Sequence, residues 1–282
     1  NMNLHVIHAG NFKLDGGAMF GVVPKSIWNN LNPADENNMC TWAMRCLLIE
    51  DRDRLILIDT GIGDKQSEKF FSYYYLHGPN NLLGSLREIG FTPDDITDVF
   101  LTHLHFDHCG GAVRRNLEDP EEFELVFNRA RYWTNKNHLK WAIKPNPREK
   151  ASFLKENILP IEEHGRLNLI NKENPFSEQF DIIYVNGHTE SQMLPKIKYK
   201  GKTIVFVADL LPSSGHIPLP YVMGYDTRPL LTLTEKEAFL NEAARKNYIL
   251  FFEHDPHIEC ATVHNTEKGV RIENTFSLSD IQ

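Results

Sequence analysis

The chain has 282 residues, of which 41% are hydrophobic and 24% are charged, and these values are ordinary for a soluble globular protein. The formal net charge of −8 argues against a general surface for nucleic acid or for anionic membranes. The sequence contains no run of about 18 apolar residues and no basic-then-apolar start, so we expect neither a membrane helix nor a signal peptide. Cytoplasm is the expected compartment, with no nucleic-acid or membrane partner.

The cysteines give no sign of a structural zinc or redox motif. Cys40, Cys46, Cys109 and Cys260 show no C-x-x-C spacing, which zinc ribbons and thioredoxin-like motifs require. A chain of this length needs no disulfide framework. We therefore predict buried thiols, and only Cys109, beside a candidate metal-binding loop, is a candidate for oxidation.

The first predicted unit is a β-hairpin that ends in a carboxylate. Residues 41–49 become increasingly apolar, residues 50–53 form a charged turn, and residues 55–58 are a short buried strand. This strand runs directly into Asp59-Thr60-Gly61, so it delivers the Asp59 side chain to a loop.

Apolar periodicity, together with Gly, Pro and capping residues, predicts the remaining elements. Helices are predicted at residues 81–89, the C-terminal part of 132–143, 152–158 and 234–245, and strands at residues 180–185, 193–199, 203–208, 248–252, 261–264 and 270–273. Thr234 and Glu237 have capping-box spacing at the start of the last helix. Hairpins in both halves, with helices between them, predict two mixed sheets covered by helices in a single α/β domain spanning residues 1–282.

Residues 102–111 carry the densest set of chemically active side chains. They follow a strand-like run and place His103, His105, Asp107 and His108 within six residues. Imidazole and carboxylate groups are the ligands that hold borderline divalent metals at neutral pH. Four of them exceed the three protein ligands of one open catalytic zinc site, so the spacing predicts that this loop feeds two metal ions.

Three further candidate ligands each stand where a strand-like run gives way to a loop. They are His188, Asp209 and His254. In α/β sheets, ligand sites collect at strand ends, because the loops there can aim polar groups into one crevice. His257 lies close to His254 and is the alternative at the third position.

The order HxHxDH, then Gly-His-Thr, then an aspartate after an apolar strand, then a histidine closing another strand, resembles the metallo-β-lactamase superfamily. Asp59-Thr60-Gly61 resembles the early Asp-Thr-Gly element of that superfamily, and the likeness extends from residue 47 to residue 255. The resemblance implies an αββα sandwich, in which two mixed sheets pack face to face with helices on both outer sides and the metal site at one edge.

The same resemblance implies a division of the ligands. His103, His105 and His188 would hold one ion, Asp107, His108 and His254 the other, and the Asp209 carboxylate would bridge them. Two divalent ions, expected to be Zn²⁺ although Mn²⁺, Fe²⁺ and Co²⁺ fit the same ligand types, would supply a bridging hydroxide that attacks the substrate. Asp107 and Asp209 are the predicted catalytic residues, and Asp59 is expected to accept a ring N–H from a ligand histidine.

The stretches at residues 14–25 and 217–221 look similar to the branch that holds N-acyl homoserine lactonases and methyl parathion hydrolase. Lactonases of that branch carry a substrate-binding tyrosine three residues after the bridging aspartate, where this chain has Pro212. Tyr221 or Tyr225 would have to substitute for it, and His216 is a further candidate to reach the pocket.

The leading hypothesis is a dinuclear metal-dependent hydrolase of a small ester-like substrate, with an acyl homoserine lactone-like lactone favoured. The alternative is phosphotriester or aryl ester hydrolysis, which an aromatic pocket lined by Phe20, Trp28, Phe70 and Phe106 would favour. A non-catalytic metal-binding protein is the third possibility. A homodimer is expected from the family resemblance.

Overall fold

The computed structural model describes residues 2–281. The chain forms two compact units. The first consists of Asn1–Gly10 and Met44–Phe176, and the second of Asn11–Ala43 and Ser177–Gln282. Within residues 2–281, no helix has the length and apolar character that a bilayer crossing requires.

The described residues contain two six-stranded sheets and a small hairpin. The strands are β1 (Met2–Asp15), β2 (Met39–Asp51), β3 (Arg54–Ile58), β4 (Asp98–Phe100), β5 (Val113–Arg115), β6 (Phe123–Leu125), β7 (Arg131–Asn135), β8 (Leu167–Ile170), β9 (Phe180–Val185), β10 (Gln192–Tyr199), β11 (Lys202–Phe206), β12 (Ile249–Phe251), β13 (Cys260–Thr266) and β14 (Gly269–Phe276).

The α-helices are mostly short. They are α1 (Gly16–Phe20), α2 (Lys25–Trp28), α3 (Glu68–Phe71), α4 (Leu82–Glu88), α5 (Phe106–Cys109), α6 (Lys136–Ile143), α7 (Lys155–Glu163) and α8 (Pro229–Lys246).

The first sheet has the order β1-β2-β3-β4-β7-β8. The predicted hairpin is β2 and β3, which pair antiparallel from Leu47↔Ile58 to Asp51↔Arg54. Strands β3, β4, β7 and β8 then pair in parallel, so their C-terminal ends share one edge. Buried apolar side chains of these strands and of α4 and α7 form one hydrophobic core within the first unit.

The second sheet has the order β14-β13-β12-β11-β10-β9. The β10–β11 hairpin turns at Lys200 and Gly201, which both have positive φ, as the favoured two-residue hairpin turns require. Strands β11 and β12 are parallel, and the chain between them includes α8. The prediction of two mixed sheets with helices is confirmed.

Two of the differences between prediction and structure have a clear physical reason. The long strand β1 was not predicted, because its buried residues Leu4, Ile7 and Phe12 are three and five positions apart and lack the two-residue period of a strand. Helix α8 begins at Pro229 rather than at the predicted Thr234 capping box. Proline suits the first helical position because its missing N–H has no intrahelical partner there.

The loop after β3 packs backbone against backbone on residues 102–111, called the metal loop from here on. Thr60 N–H donates to the His108 carbonyl at 2.7 Å, and Gly111 N–H donates to the Gly61 carbonyl at 3.0 Å. A Cβ on Gly110 would lie 2.1 Å from the Ile62 carbonyl oxygen. Glycine at position 110 therefore allows the close approach of the two loops.

Gly110→Ala should destabilise the protein by about 3 kcal/mol, the upper range for overpacking, because Gly110 has an ordinary φ of −58° and only the clash opposes the substitution. Gly165→Ala is the control, since no atom lies within 4 Å of its added Cβ and only its φ of +68° is unfavourable. It should cost about 1 kcal/mol. Urea unfolding of both metal-free variants measures the difference, and equal costs would rule out the close-packing explanation.

Candidate metal centre

The metal loop brings its three histidines together in the first unit. The ring centroids of His103 and His105 are 4.6 Å apart, and those of His103 and His108 are 4.0 Å apart. The helical turn α5 carries Asp107, whose Oδ2 lies 3.4 Å from His108 Nε2. All four side chains are largely withdrawn from solvent, so the loop concentrates four potential metal ligands in a buried place.

Asp59 orients two of these histidines. Its Oδ2 lies 2.9 Å from His108 Nδ1 and accepts the Thr102 hydroxyl at 2.7 Å, and its Oδ1 accepts the Thr102 N–H at 2.8 Å. The Thr102 hydroxyl oxygen in turn lies 3.1 Å from His103 Nδ1. A carboxylate only accepts, so the proton between Asp59 and His108 belongs on His108 Nδ1. The Thr102 hydroxyl gives its own proton to Asp59, so its oxygen accepts the proton of His103 Nδ1. Both histidines therefore present a lone pair at Nε2. Asp59 thus has the contact that the sequence analysis expected, and a second, indirect one.

Two further groups support the metal loop, and sequence reasoning missed both. Glu149 Oε1 lies 3.3 Å from His105 Nε2, and the Leu104 N–H donates to His138 Nε2 at 2.8 Å. Glu149 follows α6 in an irregular polar segment, where no pattern distinguishes it. His138 belongs to no motif in the sequence. Its position on α6 gave no signal of this contact.

The candidate ligands of the second unit lie at one edge of the second sheet. His188, Asp209 and His254 follow β9, β11 and β12, respectively. Strand β10 is antiparallel to both β9 and β11, and β11 is parallel to β12, so all three strands end at the same edge. The expected gathering of polar groups at strand ends occurs here.

Asp209 contacts both candidate ligand histidines of this unit. Its Oδ2 lies 3.0 Å from His188 Nε2, and its Oδ1 lies 3.1 Å from His254 Nε2. The Asp209 N–H donates to Gln192 Oε1 at 2.9 Å, and the preceding Ala208 adopts a left-handed φ of +40°. The carboxylate is therefore held with one oxygen toward each imidazole.

The far ring nitrogens of these two histidines also have acceptors. His188 Nδ1 lies 2.8 Å from Asp226 Oδ1, and His254 Nδ1 lies 2.7 Å from the Ala43 carbonyl oxygen. Burial by itself lowers the pKa of His188, but the charges and hydrogen bonds of Asp209 and Asp226 raise it to about 10. Asp226, which no sequence motif indicated, fixes the ring of His188.

The donor set fits divalent metal ions. His254, with its Nδ1 proton on a carbonyl, presents a lone pair to the Asp209 carboxylate, and two facing acceptors require a proton or a cation between them. Two ligands of one tetrahedral zinc ion lie about 3.3 Å apart, close to the 3.0 and 3.1 Å seen around Asp209. Among the described residues, buried histidine and carboxylate side chains form groups that could hold metal ions, which is consistent with a dinuclear site.

His216, a candidate to reach the pocket, instead packs inside the second unit. His216 is buried and stacks on Phe20 at 4.4 Å, and its two ring nitrogens contact Ser213 Oγ and the Met19 carbonyl. Burial lowers the pKa of His216 to about 3. This ring is therefore part of the unit's packing, and neither of its nitrogens is available to a metal ion.

The remaining residues divide between buried and exposed positions. His257 is exposed whereas His254 is buried, so His254 is the histidine that reaches Asp209. Tyr221 is half-buried and Tyr225 is exposed. The carbonyl of Pro212 accepts the His254 N–H at 3.2 Å. All four cysteines are buried thiols, as predicted, including Cys109.

Comparison with known proteins shows which family the chain resembles. The model of the metallo-beta-lactamase superfamily matches residues 45–114, which include β3 and the metal loop. The chain is 23% identical over 269 residues to an N-acyl homoserine lactonase of Bacillus thuringiensis, covering 89% of this chain and 92% of that protein.

Solved structures have the same fold. A probable metal-dependent hydrolase from Staphylococcus aureus superposes with a TM-score of 0.87 at 28% identity, covering 98% of this chain and 96% of that chain. AidC, a dizinc quorum-quenching lactonase, gives a TM-score of 0.80 at 22% identity with the same coverage. The matched motif segment and the two mixed sheets agree: the chain has a metallo-β-lactamase fold, and its sequence is similar to that superfamily.

Proposed function

We propose that the protein is a metal-dependent hydrolase with a dinuclear centre. The family pattern assigns three ligands to each ion and one bridging carboxylate. The proposed ligands are His103, His105 and His188 for one ion, Asp107, His108 and His254 for the other, and Asp209 between them. Two bound dications would lower the pKa of water and polarise a substrate oxygen, which is hydrolytic chemistry.

The geometry of Asp209 is the observation that carries this proposal. One carboxylate oxygen addresses His188 and the other addresses His254, at 3.0 and 3.1 Å. A carboxylate that served only to orient one histidine would need a single oxygen. Two oxygens directed at two Nε2 atoms are what a bridging ligand would need, because each oxygen could then share an ion with its histidine.

The metal loop contributes an acid–base group as well as ligands. Asp107 lies beside His108 and near Tyr74, whose pKa is raised to about 12 by burial and by the Asp107 charge. We propose that Asp107 binds one ion and accepts the proton of the attacking water. Asp59 would keep His108 and His103 in the tautomer that a metal ligand needs, through its contacts with His108 and Thr102.

Aromatic side chains beside the metal loop favour a substrate with an apolar part. The ring of Phe106 lies 5.2 Å from that of Phe70 and 4.8 Å from that of Tyr74. Phe20 and Trp28 instead stack on each other inside the second unit. An acyl-chain lactone or an aryl ester both suit the first group. The similarity to homoserine lactonases supports the lactone.

Position 212 keeps the alternative open. Pro212 has no hydroxyl with which to bind a lactone, and only its carbonyl is engaged, by His254. Aryl ester or phosphotriester hydrolysis is therefore the second candidate function, favoured by the aromatic group beside Asp107. A homodimer stays a prediction from the family resemblance.

The purified protein should contain close to two equivalents of zinc and should hydrolyse N-acyl homoserine lactones faster than aryl esters, phosphotriesters or β-lactams. Elemental analysis and initial rates on this four-class panel measure both expectations. Faster turnover of aryl esters or phosphotriesters would reassign the substrate. Two bound ions with no turnover of any class would favour a non-catalytic metal-binding protein.

Asp209→Ala should lower hydrolysis by at least about 100-fold, because it removes a proposed bridging ligand. The number of bound ions should fall below two in the same variant. Asp181→Ala, which removes an exposed carboxylate of the same unit, is the matched control and should leave both quantities unchanged. Wild-type metal content in Asp209→Ala would contradict the bridging role.

Asp59→Asn should weaken metal binding or hydrolysis by about 10- to 100-fold, the usual cost of losing an outer partner of a ligand histidine. An amide offers one acceptor oxygen where the carboxylate offers two, so the contacts to Thr102 and His108 cannot all persist. Chelator-competition titration and steady-state rates measure the effect. The exposed Asp64→Asn is the control, and an Asp59→Asn protein that matches it would remove Asp59 from the mechanism.

A further inference from the structure

A side chain of helix α8 accepts hydrogen bonds from the segment that leads into His188. Glu235 Oε2 accepts the Asn186 N–H and its Oε1 accepts the Gly187 N–H, both at 2.7 Å. These two amides directly precede the histidine. Both carboxylate oxygens are therefore used to hold the backbone of one short turn.

The same helix reaches the His188 ring by a second route. The Thr232 hydroxyl donates to Asp226 Oδ2 at 2.7 Å, and Asp226 Oδ1 lies 2.8 Å from His188 Nδ1. The backbone N–H of Arg228 also donates to the Gly187 carbonyl at 2.8 Å. Residues at the start of α8 thus position both the backbone before His188 and, through Asp226, its ring.

The turn that contains Gly187 packs closely against α8. A Cβ on Gly187 would lie 2.2 Å from Thr232 Oγ1 and 2.6 Å from the Thr232 backbone nitrogen. The helix therefore lies directly against the turn, and only glycine at position 187 allows the approach. The glycine of the Gly-His-Thr motif has a packing reason, independent of any ligand.

Glu235 is placed to accept the hydrogen bonds of the Asn186 and Gly187 N–H groups. It is half-buried, and burial raises its pKa while the two amide hydrogen bonds lower it. A carboxylate that accepts two adjacent backbone N–H groups restrains both of them at once, because its oxygens are rigidly connected. A side chain with one acceptor could restrain only one.

We propose that Glu235 is a positioning residue for His188: through the amides of Asn186 and Gly187 it sets where the imidazole lies, and so sets the affinity of the site for one of its two metal ions. This inference rests on the proposed function, since it takes His188 as a ligand. It differs from the role of Asp226 because Glu235 acts on the backbone of the turn and not on the ring.

The test compares Glu235→Gln with Glu237→Gln. The second variant loses an equal charge at an exposed position on the same helix. A glutamine at position 235 keeps one acceptor and turns an NH₂ group toward the other backbone N–H. We expect metal-free Glu235→Gln to fold and to unfold at a slightly lower temperature than the control, because one backbone N–H loses its acceptor. Chelator-competition titration with Zn²⁺ should show about 10-fold weaker binding of one ion and unchanged binding of the other.

The Co²⁺-loaded proteins provide a signature that a general stability effect would not produce. The visible spectrum should change for the weakened ion in Glu235→Gln and match the wild type in Glu237→Gln. Glu235→Asp keeps two acceptor oxygens and should recover part of the affinity. Thr232→Val, which releases Asp226, should weaken the same ion and serves if Glu235→Gln does not fold.

The outcomes separate the two proposals. A wild-type protein that does not bind two ions rejects the dinuclear centre itself. A wild type that binds two ions, with Glu235→Gln equal to Glu237→Gln in affinity and spectrum, rejects only the positioning role. Equal weakening of the binding of both ions would assign Glu235 to the general stability of the unit and likewise overturn the inference.

Discussion

The candidate centre depends on hydrogen bonds to the outer nitrogens of its histidines. An imidazole has two tautomers, and an acceptor on one nitrogen decides which nitrogen offers a lone pair. These contacts join His108 to Asp59, His188 to Asp226, and His254 to the carbonyl of Ala43. Each acceptor lies in the same unit as its histidine, so contacts within that unit orient the ring and leave Nε2 as the nitrogen that would bind an ion.

Backbone strain accompanies these contacts. Asp59 and Ala208 both have left-handed φ values, +60° and +40°, and each stands where a strand ends beside a candidate ligand. A residue other than glycine costs on the order of 1–3 kcal/mol in such a conformation. The strain lets a strand deliver a carboxylate across a very short turn. Hydrogen bonds from Thr102 to Asp59, and from the Asp209 N–H to Gln192, hold the two carboxylate residues in place.

Elements with a local signal were predictable. The β2–β3 hairpin, the helix capped by Asn81 and the strands before His188, Asp209 and His254 follow from apolar runs and capping residues. The predicted start of α8 was wrong because the residues with capping-box spacing, Thr234 and Glu237, lie inside the helix, which already begins at Pro229. Strand β1 escaped because its buried positions do not alternate.

The amino-acid sequence by itself determined the types of the candidate ligands, their spacing in the metal loop and the strand ends that carry the others, because those are properties of adjacent residues. Only the tertiary structure decided that His254 rather than His257 faces Asp209, that His216 belongs to an aromatic core, and that Asp226 and Glu149 support their histidines. These partners lie 38 and 44 residues from the histidines they contact. Such pairs become neighbours only when sheet order and helix packing bring distant segments together.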